Sequence, residues 1–131
     1  MKLKNIRRKR PPMGTIHAEV TISNPSDSSR RWQGEFLIDS GATDTVVPGN
    51  RLREIGILVD ETRRYKLADG RVHELGVGVA RVEFMGGFAG VTVVFADDDV
   101  EPLLGATAME SLAIEINMQD ETLRRLPSLQ L

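Results

Sequence analysis

Hydrophobic and polar positions alternate in several short stretches of the chain, which is the period-two pattern of half-buried β-strands. Residues 15–22 place polar side chains on one side of such a strand and apolar ones on the other, namely Ile16, Ala18, Val20 and Ile22. Residues 23–31 are rich in Ser, Asn, Pro and Asp, a composition that predicts a loop. Residues 32–38 return to an extended pattern, so a second strand is expected to end directly before Asp39.

The middle of the chain predicts two hairpins. The stretches "YKLA" and "RVHEL" flank Asp69-Gly70, and an Asp-Gly pair supplies the positive φ angles of a two-residue turn. Residues 77–84 and 89–96 are rich in valine and phenylalanine and flank a turn at residues 85–87. Sheet therefore dominates this region.

Two short helices and one more strand complete the pattern. Residues 49–56 space two apolar side chains one helical turn apart before a glycine, which predicts a short helix with a glycine C-cap. Residues 97–102 form a charged loop, residues 106–113 have helical spacing, and residues 114–117 alternate again. Many short strands with only two brief helices predict a small all-β barrel or sandwich.

Charge separates a basic N-terminal segment from an acidic body. Residues 1–10 hold six of the 17 basic side chains and no acidic one, but no apolar stretch of a secretory signal follows. The rest of the chain has 11 basic against 19 acidic residues, which makes nucleic acid an unfavourable partner. We expect residues 1–12 to be a disordered tail, or to precede a functional start at Met13, and residues 13–131 to form one domain.

The 131 residues include no cysteine and no apolar run long enough to cross a bilayer. We therefore expect no disulfide, no thiolate metal site and no membrane partner, and we expect a cytoplasmic protein. The two histidines, His17 and His73, are far apart in sequence, so metal ligation is not predicted.

The stretch "FLIDSGATDTVVP" (residues 36–48) is the main candidate for chemistry. Asp-Ser-Gly alone is a good turn sequence, and an isolated tripeptide is more often a turn than a site. Here, however, apolar residues flank it on both sides, which implies that Asp39 is carried into the interior. A buried carboxylate must be protonated, paired or share a proton with a second acid. The other aspartates considered lie in a polar loop or at expected turns, so a symmetry-related copy of Asp39 is a candidate partner.

Together with two further motifs, this stretch makes the sequence resemble the retropepsin-like aspartic proteases, and the small bacterial members in particular. Residues 37–48 match the family's active-site segment, residues 65–76 ("YKLADGRVHELG") its flap hairpin, and "EPLLGATAME" its apolar-apolar-Gly element before a helix. The tetrapeptides "SGAT" (40–43) and "LGAT" (104–107) also echo each other, as in a protomer built from two similar halves. The resemblance implies an all-β closed acid-protease barrel with one or two short helices.

The resemblance also implies an aspartic endopeptidase that acts on peptides or proteins as a homodimer, without cofactor or metal. The catalytic residues would be Asp39 from each subunit, with Ser40 linking the two active-site segments and Gly41 allowing close approach of backbone and substrate. Residues 68–72 would close over an extended peptide, which binds as an added strand. The implied substrate-binding residues are Ala42, Thr43, Val46, Ala68, Asp69, Gly70, Arg71, Val72 and Leu103.

The sequence departs from the retroviral members at two positions that are linked in that group. Retroviral members have an acid at the position of Thr43 and an arginine at that of Ala106, an ion pair that supports the dimer, and both are missing here. The tip of the flap hairpin also lacks their glycine-rich sequence. Two rival functions stay open: a peptide-binding or assembly module of the same fold that cuts nothing, and an enzyme that mainly processes its own basic tail.

Overall fold

Nine strands and two short helices make up residues 16–131, the part of the chain that this computed structural model describes. The predicted basic tail and Met13 lie outside the described residues. The helices are α1 (Gly49–Glu54) and α2 (Ala106–Ser111), both where the sequence predicts them. The strands are β1 (Ile16–Asn24), β2 (Asp27–Ile38), β3 (Thr45–Pro48), β4 (Glu61–Lys66), β5 (Val72–Phe84), β6 (Gly87–Ala96), β7 (Leu103–Leu104), β8 (Ile114–Asn117) and β9 (Thr122–Arg125).

Six strands form a closed ring in the order β1-β2-β7-β3-β6-β5, and the ring closes because β5 also pairs with β1. β4 pairs with the first part of β5, residues 72–77, while residues 77–84 of β5 belong to the ring. The hairpin of β4 and β5 therefore extends beyond the ring. The predicted all-β fold with two short helices is confirmed.

The first hairpin is longer than the sequence predicts. β1 and β2 stay paired from Ile16 opposite Ile38 to Ser23 opposite Arg31, so residues 27–31 are strand and the predicted loop over residues 23–31 is wrong. The connecting turn consists of Pro25 and Ser26 alone. The first part of β2 is exposed to solvent on both faces, so no buried face requires alternating apolar residues there. Its polar sequence therefore resembles that of a loop.

The two later hairpins have different turns from those predicted. The Leu67 N–H donates to the Arg71 carbonyl (2.7 Å) and the Gly70 N–H to the Leu67 carbonyl (2.9 Å), which makes a three-residue loop with Gly70 at φ +89°. The predicted two-residue turn at Asp69-Gly70 is therefore wrong. A two-residue turn with two positive φ angles occurs instead between β5 and β6, at Met85 (φ 52°) and Gly86 (φ 81°).

Aliphatic side chains fill the ring, and the two helices contribute to the same core. Leu52 from α1, Met109 from α2 and Leu112 directly after α2 are each at most 4% exposed. The predicted apolar faces of both helices therefore pack inward. The ring strands contribute most of the remaining buried side chains, among them Val20, Ile22, Phe36, Val47, Val82, Val93 and Leu104.

A second, two-stranded sheet follows α2, and the sequence predicts only its first strand. Residues 114–117 form β8 as expected, and β9 pairs with it from Ile114 opposite Arg125 to Asn117 opposite Thr122. The strand β9 is largely polar and exposed, so its sequence gives no clear alternation. Within residues 16–131, none of the helices has the length and apolar character needed to cross a bilayer.

Two glycines on the paired strands β5 and β6 provide a matched test of ring packing. A Cβ at Gly78 would overlap the Leu58 carbonyl oxygen, whereas a Cβ at Gly90 would meet nothing within 4 Å. Gly78→Ala should destabilise the fold by about 1–3 kcal/mol through overpacking. Gly90→Ala should be neutral, or stabilising by up to about 1 kcal/mol, because it restricts the unfolded chain. Urea unfolding at one fixed protein concentration measures both, and equal midpoints for the two variants would contradict the packing described.

Candidate active site

Asp39 lies at the end of β2, where backbone hydrogen bonds to a second segment fix its position. Its N–H donates to the Leu104 carbonyl (3.0 Å), and two residues earlier the Leu37 N–H donates to the Pro102 carbonyl (3.0 Å). The Gly41 N–H donates to Asp39 Oδ1 (2.9 Å), and the Ala42 N–H donates to the Asp39 carbonyl (3.2 Å). The chain therefore turns tightly around the carboxylate and holds one of its oxygens.

One chain alone carries the Asp39 carboxylate partly into the interior. Phe36 and Ile38 before it and Val47 after it are buried, and the Oδ2 atom of Asp39 is buried as well. Asp39 as a whole residue is half-buried, and Ser40 and Gly41 are exposed. The expected burial is therefore reached at one carboxylate oxygen, while the next two residues face solvent.

The two echoing tetrapeptides lie against each other. The Ala106 N–H donates to the Ala42 carbonyl (2.7 Å), and Thr43 accepts at its carbonyl from both the Thr107 N–H (3.1 Å) and the Thr107 hydroxyl (2.9 Å). These bonds join the two segments that contain Thr43 and Ala106. Thr107 therefore provides a neutral link between the active-site segment and α2.

A glycine and a buried threonine complete this contact. The Gly105 N–H donates to Oγ1 of Thr45, which is fully buried. A Cβ at Gly105 would lie 2.6 Å from the Asp44 carbonyl carbon and oxygen. The active-site segment thus passes so close to residue 105 that any side chain there would displace it.

Two of the predicted substrate-binding residues meet on neighbouring strands, one within the active-site segment and the other on β7. Val46 on β3 pairs with Leu103 on β7, and Leu103 also pairs with Leu37 on β2. Val46 is half-buried and Leu103 is 5% exposed. Ala42 is half-buried and Thr43 exposed, so these two present more surface than Leu103 does.

The other predicted substrate-binding residues, 68–72, are exposed at the tip of the flap hairpin. One side-chain contact brings this hairpin to the active-site segment: the Tyr65 hydroxyl donates to Asp44 Oδ2 at 2.7 Å. His73 lies opposite Tyr65 in the strand register and is also half-buried. Among residues 16–131, no group of three or more His, Asp or Glu side chains is arranged to hold a metal ion.

The environment of Tyr65 keeps its phenol protonated. Burial raises the pKa of Tyr65 far above its ordinary value, and the hydrogen bond to the Asp44 carboxylate raises this pKa further. The phenol therefore remains a hydrogen-bond donor throughout the neutral range.

Sequence reasoning missed Tyr65, Asp44, Thr45, Gly105 and Thr107 as site-building residues. The Asp44 side chain contacts the flap hairpin, although its place in a turn-forming sequence does not indicate this. The "LGAT" echo was a usable signal for Gly105 and Thr107, because segments that repeat in the two halves of a protomer can meet at its centre. No sequence pattern indicated the contact between Tyr65 and Asp44, which are 21 residues apart.

Gly105→Ala should disrupt the active-site segment, because the new methyl group would meet backbone and not a movable side chain. We expect a loss of about 1–3 kcal/mol in the free energy of unfolding. Thr107→Val removes one hydroxyl from the same contact at nearly the same size, and its loss should be about 1 kcal/mol. Urea unfolding tests both variants, and a Gly105→Ala protein as stable as the parent would show that the close approach is absent.

Tyr65 is the single tyrosine of the sequence, so its ionisation can be followed by the ultraviolet absorbance of tyrosinate. Its contribution to stability should be fully present below the pKa of free tyrosine, about 10, and be lost as the pH rises through the higher folded-state pKa. Asp44→Asn should lower the pKa of Tyr65, because it removes the negative charge next to the phenol. Ionisation of the folded protein at the pH of free tyrosine would contradict this environment.

The family model described as aspartyl protease matches residues 18–108, which is more than half of the chain. No curated protein sequence matches. Several solved structures are similar in fold. The EIAV protease complexed with the inhibitor HBY-793 is 17% identical, with 79% of this chain and 92% of that chain covered and a TM-score of 0.54.

The retropepsin-like aspartic protease from Rickettsia conorii is 18% identical, with coverages of 82% and 91% and a TM-score of 0.52. The retroviral protease-like domain of Ddi1 from Leishmania major is 14% identical, with coverages of 87% and 90% and a TM-score of 0.54. These likenesses concern the fold, and they agree with the resemblance that the sequence motifs indicate. The chain belongs to the aspartyl protease family and has a retropepsin-like fold.

Proposed function

We propose that the protein is an aspartic endopeptidase whose active site forms when Asp39 from two identical subunits meets at a twofold axis. Membership of the aspartyl protease family supports the reaction class. The proposal extends the sequence interpretation of Asp39, Ser40 and Gly41 as catalytic residues. The proposal includes a cytoplasmic location. A reducing compartment is compatible with this chain because it has no cysteine and therefore no disulfide to maintain.

The observation that carries the proposal is the position of Asp39 in the single chain. Its backbone is fixed by the Leu104 carbonyl and one carboxylate oxygen by the Gly41 N–H, while the surface next to it, at Ser40 and Gly41, is exposed. Three other aspartates of the described chain bind elsewhere: Asp44 binds Tyr65, Asp69 binds Arg71, and Asp98 binds the Asn50 backbone. A twofold dimer formed through the exposed surface at Ser40 and Gly41 would bring a second copy of Asp39 to the first and so supply the second catalytic carboxylate.

Two such carboxylates would share one proton. At a separation of about 4 Å and an effective dielectric constant of about 20, two negative charges repel by roughly 4 kcal/mol, so double ionisation is disfavoured. The ionised carboxylate can take a proton from water, and the protonated one can polarise the scissile carbonyl. Attack of the water on the carbonyl carbon forms a tetrahedral intermediate. The carbon–nitrogen bond of this intermediate then breaks as the leaving nitrogen accepts a proton from the carboxyl group that had taken one from the water.

The flap hairpin and the active-site segment would hold the substrate between them. Residues 68–72 offer exposed backbone at the tip of the hairpin, and an extended peptide can add to it as a further strand. Val46 and Ala42 would face its side chains. A peptide-binding module without catalysis would use the same surface, so the role of the Asp39 carboxylate distinguishes the two functions.

Asp39→Asn should abolish cleavage of an unstructured protein while leaving fold and dimerisation intact, because the amide cannot act as a general base. The control is Asp97→Asn, which removes an exposed carboxylate from the loop after β6 and should keep full activity. Mass spectrometry of the products from a peptide library measures cleavage by both variants and by the parent. Equal cleavage by the Asp39 variant and the parent would remove the proteolytic function, and peptide binding without cleavage by the parent would favour the binding module.

Mixing the two proteins tests whether each active site needs two chains. If parent and Asp39→Asn subunits exchange freely, an equal mixture should retain about a quarter of the activity of the same total amount of parent, because parent homodimers alone carry two aspartates. If the mixture retained about half of the activity, a single Asp39 would be sufficient for an active site. The tail-processing alternative is tested in the same samples, since loss of the N-terminus in the parent but not in the variant would support it.

A further inference from the structure

We propose that Tyr65 and Asp44 form a latch that holds the flap hairpin down on the active-site segment of the same protomer and thereby prepares the substrate site before a peptide binds. This inference rests on the proposed function, because it assigns Tyr65 and Asp44 as positioning residues for that site. Neither residue is among those that the sequence assigned to catalysis or substrate binding.

The two partners connect the flap hairpin with the active-site segment. Tyr65 is the fifth residue of β4 and lies three residues before the loop at residues 68–70. Asp44 lies five positions after Asp39, and its backbone is confined by Gly105. The hydroxyl-to-carboxylate distance of 2.7 Å is that of a strong, charge-assisted hydrogen bond. The latch therefore joins the hairpin to a rigid point of the active-site segment.

Burial on the inner face of the hairpin supports a docked position. Leu67 is 4% exposed, although Lys66 and Ala68 on either side of it are exposed. Side chains two positions apart on a strand share a face, so Leu67 follows Tyr65 toward the body of the protein. His73, opposite Tyr65, is half-buried, while Glu74 next to it is exposed. One face of the hairpin thus packs against the body and the other faces solvent.

The latch affects binding through the fraction of molecules in which the hairpin is correctly placed. A peptide that adds as a strand needs the hairpin backbone at a fixed height above the active-site segment. If the hairpin is docked before binding, the peptide does not have to order it. The apparent dissociation constant rises in inverse proportion to the fraction of docked molecules. Loss of the latch should therefore weaken binding much more than it slows the chemical step.

Hydrogen exchange tests the latch without any assay of activity. In Tyr65→Phe, which removes only the hydroxyl group, backbone amides of residues 65–72 should exchange about tenfold faster or more, as expected for loss of a hydrogen bond to a charged acceptor. Thr62→Val is the matched control: it removes a hydroxyl from the same strand at nearly constant size, on the exposed face. Equal exchange in Tyr65→Phe and Thr62→Val would overturn the latch.

Kinetics provide the second readout. Tyr65→Phe and Asp44→Ala should each raise KM about tenfold and leave kcat within about twofold. The double variant should be no worse than the more affected single variant, since both remove the same bond. Asp44→Asn keeps an oxygen that can accept from the phenol, so its KM should rise less than that of Asp44→Ala. A tenfold fall in kcat with KM unchanged would overturn the positioning role, and so would variants whose KM and kcat both match those of the parent.

The two proposals fail in different ways. If Asp39→Asn cleaves as well as the parent, the proposed function is wrong, and the exchange experiment still decides whether the latch exists. If Asp39→Asn is inactive but Tyr65→Phe matches Thr62→Val in exchange, KM and kcat, the latch is wrong and the proteolytic function stands. Urea unfolding of every variant identifies a general loss of stability, which would raise exchange in all strands instead of in residues 65–72.

Discussion

Hydrogen bonds between two short segments of similar sequence hold the candidate catalytic residue in place. Leu104 and Ala106 contact the active-site segment at Asp39 and Ala42, and Gly105 lies against the backbone of Asp44. The second segment is itself fixed, because β7 joins β2 and β3 in the ring and α2 packs its apolar face into the core. The position of the carboxylate therefore depends on the closed ring as a whole.

This arrangement leaves the active-site segment ordered but incompletely covered. The apolar residues on both sides of Asp39 are buried, whereas Ser40 and Gly41 are exposed. A second subunit at this surface would cover the segment and bring in the second acid. The same segment carries Asp44, whose side chain receives the Tyr65 hydroxyl. It thus links the proposed subunit contact to the flap hairpin through only five residues of chain.

The sequence predicted those features that a local pattern can encode. Alternation located β1 and β8, valine and phenylalanine content located β6, and helical spacing located α1 and α2. The apolar flanks of Asp39 made it a candidate site residue. The exposed half of the first hairpin escaped because no buried face imposes alternation on residues 27–31. The turn types were misassigned because register along the whole hairpin decides them, so Met85-Gly86 adopts the turn expected at Asp69-Gly70. The Tyr65–Asp44 contact depends on tertiary packing between distant segments, which no local pattern records.

The most direct test of the central claim is an experimental structure of the assembled protein at neutral pH, in which the separation of the two Asp39 carboxylates is measured. The account predicts a twofold dimer with carboxylate oxygens of the two chains within hydrogen-bond distance, about 3 Å, and with Ser40 and Gly41 covered. Assemblies in which these oxygens are far apart, or in which Asp39 faces bulk solvent in every copy, would contradict it.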